Sequence, residues 1–220
     1  MIRVENLSKN YGPFKAVDDL NFQVSKGEIF GFLGPNGVGK TTTINMLTGI
    51  LQPSNGSVYL DDINLRTNPI AAKHIFGYVP DNPVMYEKLT LREFLDFVID
   101  IYRLDTDKAW QQGQEFLEMF DLHERRNDLI ASFSRGMKQK ASLVSALLHE
   151  PKILFLDEPT NGLDPKSVRI LKDFLLNKTK EGMTVVMSTH ILEIAEKMSH
   201  RIGIINEGKL AALTLQGAVR

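Results

Sequence analysis

Apolar and polar positions change their spacing twice along this chain of 220 residues. In the first third, short runs bounded by turn residues predict strands over residues 2–7, 20–24, 28–33 and 57–60. From residue 90 to about 131 the spacing becomes helical, and one face carries Leu91, Phe94, Leu95 and Val98. Thr90 and Glu93 predict a capping box at the start of this helix.

The second half of the chain has a different pattern. From Ser134 onward, predicted helices alternate with almost continuously apolar strands over residues 153–156, 184–187 and 202–205. Such runs are typical of parallel strands that are buried on both faces. Pro151 closes the helix before the first of these strands, and Pro165 suits the first turn of the helix after it. The order of elements therefore predicts α/β architecture in one compact unit.

A glycine-rich loop lies between a predicted apolar strand and a predicted helix over residues 42–47. Residues 34–41 read Gly-Pro-Asn-Gly-Val-Gly-Lys-Thr, which satisfies the pattern G-x-x-x-x-G-K-[ST]. Backbone N–H groups of such a loop surround phosphate oxygens, which predicts nucleotide binding by Asn36, Gly37 and Gly39. The other predicted roles are contact with the β and γ phosphates and catalysis for Lys40, Mg²⁺ binding for Thr41, and contact with the α and β phosphates for Thr42.

Two acidic residues follow the first apolar strand of the second half. Asp157 and Glu158 come directly after residues 153–156, which places both carboxylates at the carboxyl edge of the predicted sheet. Ligands bind at that edge in α/β proteins. We predict that Asp157 binds Mg²⁺ directly or through water, and that Glu158 polarises the water that attacks the γ phosphate.

Composition narrows the possible partners and compartment. Lys plus Arg (26) and Asp plus Glu (27) nearly cancel, so the net charge of −1 provides no general attraction for nucleic acid, and no nucleic-acid partner is expected. The absence of cysteine excludes a disulfide framework and fits a reducing compartment. No apolar run approaches the roughly 18 residues that span a bilayer. We expect a cytoplasmic chain that is neither membrane-spanning nor secreted.

A third motif identifies a family. Residues 133–140 read Phe-Ser-Arg-Gly-Met-Lys-Gln-Lys and resemble the signature sequence of the ATP-binding cassette (ABC) family, usually Leu-Ser-Gly-Gly-Gln. The resemblance covers almost the whole chain, because the other family elements follow in order. It implies the ABC ATPase fold as a single domain over residues 1–220. The implied parts are a P-loop NTPase core with a mostly parallel sheet and an N-terminal antiparallel β region, over about 1–89 and 151–220, and a small helical signature subdomain over about 90–150.

The resemblance also implies further site residues. Tyr11 looks like the aromatic residue that stacks on adenine, and His190 looks like the histidine that contacts the γ phosphate and acts in catalysis. Ser134 and Gly136 look like the anion site that receives the nucleotide of a partner cassette, and Ser134 also suits a helix N-cap. Asp164, at the end of the loop over 161–164, suits both a helix N-cap and a dimer contact. Two cassettes are thus implied to close head to tail on ATP and to reopen after hydrolysis.

Two departures from the family pattern leave alternatives open. Asp81 stands where the family usually has a glutamine that senses Mg²⁺ and the attacking water. A carboxylate can still bind Mg²⁺, so Asp81 is a predicted metal ligand, but its charge can also alter metal affinity or hydrolysis. Arg135 replaces the first glycine of the signature and Met137 its glutamine. Arg135 either helps to bind the γ phosphate or points away from it.

The resemblance implies an ATPase subunit that uses ATP and Mg²⁺ to power a membrane transporter, with export favoured over import. Its implied partners are a second ABC ATPase subunit, identical or different, and a separate transmembrane permease that holds it peripherally on the inner face of the cell membrane. Five residues are candidates either for the permease contact or for the core: Val84, Met85, Tyr86, Leu89 and Phe97. The alternatives are a soluble ABC-type ATPase acting on ribosomes or DNA, and an unrelated P-loop kinase or GTPase.

Overall fold

The computed structural model describes residues 1–215 in seventeen helices and strands. The strands are β1 (Ile2–Tyr11), β2 (Phe14–Val24), β3 (Ile29–Leu33), β4 (Asn55–Leu60), β5 (Ile63–Asn64), β6 (Phe76–Val79), β7 (Ile153–Leu156), β8 (Thr184–Thr189), β9 (Arg201–Asn206) and β10 (Lys209–Leu215). The helices are α1 (Lys40–Leu47), α2 (Pro69–His74), α3 (Leu91–Tyr102), α4 (Thr106–Met119), α5 (Arg135–Leu147), α6 (Pro165–Lys180) and α7 (Leu192–Met198). Two 3-10 turns, His123–Arg125 and Ile130–Ser132, connect α4 to α5.

The strands form two sheets. The first has the order β2-β1-β4-β5 and is antiparallel throughout. The second has the order β10-β9-β3-β8-β7-β6, and every neighbouring pair is parallel except β9 and β10. This confirms the predicted fold class, a mostly parallel core sheet joined to an N-terminal antiparallel region. The boundaries of the predicted subdomains stay a prediction, and residue 220 lies outside the described residues.

Two hydrophobic clusters cover the two faces of the six-stranded sheet. Alternate residues of β3 belong to different clusters, because successive side chains of a strand point to opposite faces of the sheet. Phe30 and Phe32 face the antiparallel sheet and pack on Phe22, with ring centroids 5.4 and 5.3 Å from that of Phe22. Ile29 faces the other cluster, which contains the buried residues of α3, α4, α5 and α6. The helical segment therefore shares a hydrophobic core with the sheet.

Several predicted bounds were wrong, and four elements were missed. α1 begins at Lys40 rather than at residue 42, so the lysine already belongs to the helix. The segment predicted as helical from residue 90 to about 131 contains α3, α4 and two 3-10 turns, and α3 ends at Tyr102 because Arg103 adopts a left-handed conformation with φ of 53°. The missed elements are β5, β6, β10 and α2. Each is short or lies at an edge of its sheet. Its sequence therefore shows too weak a periodic pattern to predict it.

The start of α3 tests the capping box directly. The Thr90 side chain accepts a hydrogen bond from the Glu93 backbone N–H at 3.2 Å, and the Glu93 carboxylate accepts one from the Thr90 N–H at 2.8 Å.

Thr90→Ala should lower the free energy of unfolding by about 1 kcal/mol, measured by urea denaturation. Thr106→Ala is the matched control, since Thr106 is the exposed first residue of α4 and Asp105 caps that helix. An equal loss in both variants would contradict the capping role.

Candidate functional site

Three neighbouring parallel strands bring the site together. β8 lies between β3 and β7, with Leu33 opposite Thr189 and Leu156 opposite Met187. Parallel strands end at the same edge of the sheet, so the segments after β3, β7 and β8 meet there. These segments carry the glycine-rich loop, Asp157 with Glu158, and His190.

The glycine-rich loop has a backbone that only glycine adopts easily. Gly37 and Gly39 have φ of +83° and +104°, in the left-handed region. A Cβ on Gly39 would lie 2.6 Å from the Ala16 carbonyl oxygen of β2. No side chain caps the start of α1, and its first turn carries no acidic residue. The N–H groups of that turn are therefore free of a competing carboxylate and suit an anion.

The Lys40 side chain is 5% exposed and lies inside the loop. Its ammonium group donates to the carbonyl oxygens of Gly34 at 2.7 Å and Pro35 at 3.0 Å. The Glu158 carboxylate oxygen Oε1 lies 3.4 Å from the same nitrogen. The predicted phosphate-binding lysine and the predicted catalytic carboxylate thus form an ion pair in this structure.

The Glu158 carboxylate lies between the side chains of Lys40 and His190. Its other oxygen, Oε2, lies 3.0 Å from Nδ1 of His190. Its backbone has φ of +47°, a left-handed conformation that non-glycine residues rarely adopt. A strained backbone persists where surrounding contacts enforce it, and such positions cluster at active sites. Lys40, Glu158 and His190, the three predicted catalytic residues, therefore lie in one connected group.

Ser188 fixes both acids, and sequence reasoning missed this role. Its hydroxyl donates to Oδ1 of Asp157 at 2.5 Å and accepts from the Glu158 backbone N–H at 2.9 Å. The only local signal was a hydroxyl residue two positions before His190. Burial raises the pKa of Asp157, while hydrogen bonds from Ser188 and Thr41 lower it. Asp157 is 1% exposed, so the site holds a carboxylate that a nearby cation would stabilise.

The fit to Mg²⁺ rests on few protein ligands. Within residues 1–215, no group of three His, Cys, Asp or Glu side chains converges as a metal site. Thr41 and Asp157 interact closely enough for the Thr41 hydroxyl to lower the Asp157 pKa. Mg²⁺ takes one or two protein oxygens together with substrate phosphates and waters, so this pair fits the ion. When bound, Mg²⁺ would neutralise charge on the transferred phosphate.

The remaining loop residues and Tyr11 lie around this centre. Asn36 and Thr41 are exposed, and Thr42 is half-buried. Tyr11 ends β1 with half of its surface exposed, and its ring lies 5.4 Å from the Lys9 ammonium group. Its hairpin partner β2 contributes the carbonyl that abuts Gly39. The exposed ring therefore stands on the hairpin that contacts the phosphate loop, and its stacking on adenine stays a prediction.

The signature segment begins α5 in the predicted way. Ser134 accepts from the Met137 backbone N–H at 3.2 Å, so it is the N-cap of this helix. Asp164 likewise caps α6 by accepting from the Ser167 N–H at 2.9 Å, and hydrogen bonds from Ser167 lower the pKa of Asp164. Gly136 lies against Gly162 of the same chain, since a Cβ on Gly136 would lie 2.4 Å from the Gly162 carbonyl oxygen.

The two departures from the family pattern contact each other. The Arg135 guanidinium donates to Oδ1 of Asp81 at 2.9 Å, and the Asn161 amide donates to the same oxygen at 2.8 Å. Arg135 is therefore bound to Asp81 in this structure. The role of Asp81 as a metal ligand stays a prediction, since its pairing with Arg135 does not test it.

These features define an α/β nucleotide-binding protein with a P-loop. Comparison with protein-family models matches residues 17–161 to the ABC transporter family. The chain belongs to this family, as an ATP-binding subunit. This confirms the predicted family, fold class and ATP-binding role.

Three known proteins illustrate the likeness. The chain is 38% identical over 213 residues to the linearmycin resistance ATP-binding protein LnrL of Bacillus subtilis (strain 168), covering 97% of this chain and 68% of that protein. A solved ATP-binding subunit of an ABC transporter superposes with a TM-score of 0.92 at 33% identity, covering 98% of this chain and 90% of that one. A dimeric post-hydrolysis structure of the cassette MJ0796, bound to ADP and Pi, gives 0.86 at 25% identity, covering 98% and 99%.

The glycines of the loop give a matched test. Gly39→Ala places a Cβ 2.6 Å from the Ala16 carbonyl oxygen, whereas a Cβ on Gly37 meets nothing within 4 Å. Both variants carry the left-handed cost of about 1–2 kcal/mol, but only Gly39→Ala must also displace the loop from β2. Titration with a fluorescent ATP analogue should show binding weakened by more than about tenfold in Gly39→Ala and by less in Gly37→Ala. A stronger effect at Gly37 would contradict the geometry.

Proposed function

We propose that this chain hydrolyses ATP in the presence of Mg²⁺ and uses that hydrolysis to power export through a separate transmembrane permease. The observation that carries the proposal is the position of Glu158. Its two carboxylate oxygens face Lys40 and His190, at the edge of the sheet where β3 ends and the phosphate loop begins. A general base beside a phosphate-binding lysine is the arrangement that hydrolysis of a γ phosphate needs.

Each catalytic residue has a proposed task. Lys40 exchanges its contact with Glu158 for the β and γ phosphates, which leaves the Glu158 carboxylate to accept a proton from the attacking water. His190 orients Glu158 through the 3.0 Å contact and reaches the γ phosphate. Asp157 and Thr41 hold Mg²⁺. The N–H groups at residues 36–42 bind the phosphates, and Tyr11 stacks on adenine.

The proposed working unit is a dimer of cassettes closed head to tail around ATP. Support comes from the dimeric relative in its ADP and Pi state, which this chain matches over 98% of its length. Ser134 and Gly136 stand at the N-terminus of α5 and are proposed to bind the nucleotide of the partner. The γ phosphate is the contact that differs between ATP and ADP, so its loss reopens the dimer.

An exposed apolar surface supports a permease partner. Val84 is 94% exposed and Tyr86 60% exposed, so neither belongs to the core. The Phe97 ring packs edge-on to that of Tyr86 at 5.5 Å and is also exposed. Met85 differs, since it packs against the helical core cluster, and Leu89 is half-buried. We propose that Val84, Tyr86 and Phe97 receive a cytoplasmic segment of the permease.

The proposal also includes a direction of transport and a location of the chain. Export is favoured because LnrL is described as a linearmycin resistance protein. Within residues 1–215, no helix is long and apolar enough to cross a membrane. We propose attachment to the cytoplasmic face of the membrane through the permease. The alternative of a cassette acting on ribosomes or DNA is less favoured, since the net charge of −1 offers no attraction for nucleic acid.

Replacing the proposed base should trap the dimer. Glu158→Gln keeps the shape of the side chain but removes the proton acceptor, so phosphate release should fall by about 100-fold or more. Light scattering after size exclusion should then show a dimer that forms only with ATP and Mg²⁺. Glu181→Gln is the control, because Glu181 pairs with Lys178 at the end of α6, away from the site. Undiminished hydrolysis in Glu158→Gln would contradict the proposal.

A further inference from the structure

Asp81 joins three segments that are distant in sequence. It lies two residues after β6, and its Oδ1 accepts hydrogen bonds from Arg135 of α5 at 2.9 Å and from Asn161, after β7, at 2.8 Å. The Asp81 backbone carbonyl oxygen also accepts a hydrogen bond from the same guanidinium nitrogen, at 3.4 Å. One carboxylate therefore binds the start of the signature helix and the loop after Glu158 at once.

A backbone contact brings the same segments together independently. A Cβ on Gly136 would lie 2.4 Å from the Gly162 carbonyl oxygen, so the two segments meet only because residue 136 lacks a side chain. Gly162 has φ of +77°, and a Cβ there would lie 3.3 Å from Cγ of Arg135. Lys140 of α5 and Asp164 approach to 3.4 Å on the same junction. The start of α5 is thus seated on the loop over residues 161–164.

Asp81 also lies close to the predicted reaction centre. Burial is the main cause of the raised pKa of Asp157 and of Tyr78, and the charge of Asp81 adds to both shifts. An unpaired carboxylate here would add to the repulsion of a phosphate. A guanidinium bonded to it offsets that charge.

We propose that Arg135 and Asn161 are positioning residues that hold Asp81 at this edge of the sheet, so that Asp81 and Arg135 act as one matched pair. The effect on hydrolysis rests on the proposed function, but the pairing itself does not. A neutral amide at 81 or a glycine at 135, the usual residues of the family, would form no ion pair. Each departure from the family pattern therefore compensates for the other.

Charge exchange tests the pairing in the nucleotide-free chain. Arg135→Glu and Asp81→Arg should each speed amide hydrogen exchange at residues 81–82 and 161–163 by about two- to fivefold, the change expected from loss of an exposed ion pair. The double variant should return both segments to within about 1.5-fold of the original rates, because the amide of Asn161 can present its oxygen instead of its nitrogen. Additive effects in the double variant, or no effect in either single variant, would overturn the proposal.

A second exposed ion pair provides the control. Lys152 and Asp61 approach to 2.7 Å at the amino end of β7, with similar exposure to the Arg135 and Asp81 side chains. Lys152→Glu with Asp61→Arg should leave exchange at residues 81–82 and 161–163 unchanged. A change there would mean that charge reversal anywhere disturbs these segments, and the proposal would fail.

Hydrolysis gives a second readout on the same variants. Both single substitutions should shift the Mg²⁺ concentration for half-maximal hydrolysis, and the double variant should restore it. Restored exchange without restored Mg²⁺ dependence would overturn charge compensation as the link to the reaction, and would be the outcome expected if Asp81 itself binds Mg²⁺, while leaving the pairing established. If the unaltered chain hydrolyses no ATP, the proposed function fails, and the exchange rates still decide whether the pairing exists.

Discussion

The buried ammonium group of Lys40 is the interaction on which the rest of the site depends. Removing a charge from water costs several kcal/mol unless partners replace the water. Here the carbonyl oxygens of Gly34 and Pro35 and the carboxylate of Glu158 do so. These partners can meet only because β3, β8 and β7 are parallel neighbours that end together. The conformation of the glycine-rich loop and the left-handed backbone of Glu158 both serve this one arrangement.

The two hydrophobic clusters keep that edge in place. Phe30 and Phe32 fix β3 against the antiparallel sheet, while Ile29 belongs to the cluster under the helices. Both faces of the central strand are therefore packed, and its end has little freedom. Buried side chains at close-packed density transmit rather than absorb displacement. The packing of both faces therefore positions the acids and the lysine at this edge of the sheet.

Local patterns predicted the parts of the site that depend on neighbours in sequence. The glycine spacing predicted the loop, the apolar run before Asp157 predicted a strand ending in acids, and the capping box at Thr90 was confirmed. Contacts between distant segments left no such pattern. The hydrogen bond of Ser188 to Asp157 joins β8 to the residue after β7, and the pairing of Asp81 with Arg135 joins residues 54 positions apart. Only their arrangement in space shows them.

The missed elements lack a clear periodic pattern in the sequence. β6 has four residues and β10 lies at the edge of its sheet, so neither carries a long run of one period. Val84 and Tyr86 were open to both a core and a surface interpretation, because an apolar residue in a short loop has no periodic context. Their exposure in the structure decides against the core.

Thermal unfolding of the unaltered chain with adenine nucleotides tests the central claim most directly. If Lys40 and the loop form a polyphosphate site, saturating ATP or ADP should raise Tm, since a ligand at 100 times its Kd stabilises by about 2.7 kcal/mol. That corresponds to roughly 5–11 °C for a chain of this length. AMP should raise Tm little, because it lacks the phosphates that Lys40 is placed to bind. Equal stabilisation by AMP and ATP, or none by either, would contradict the account.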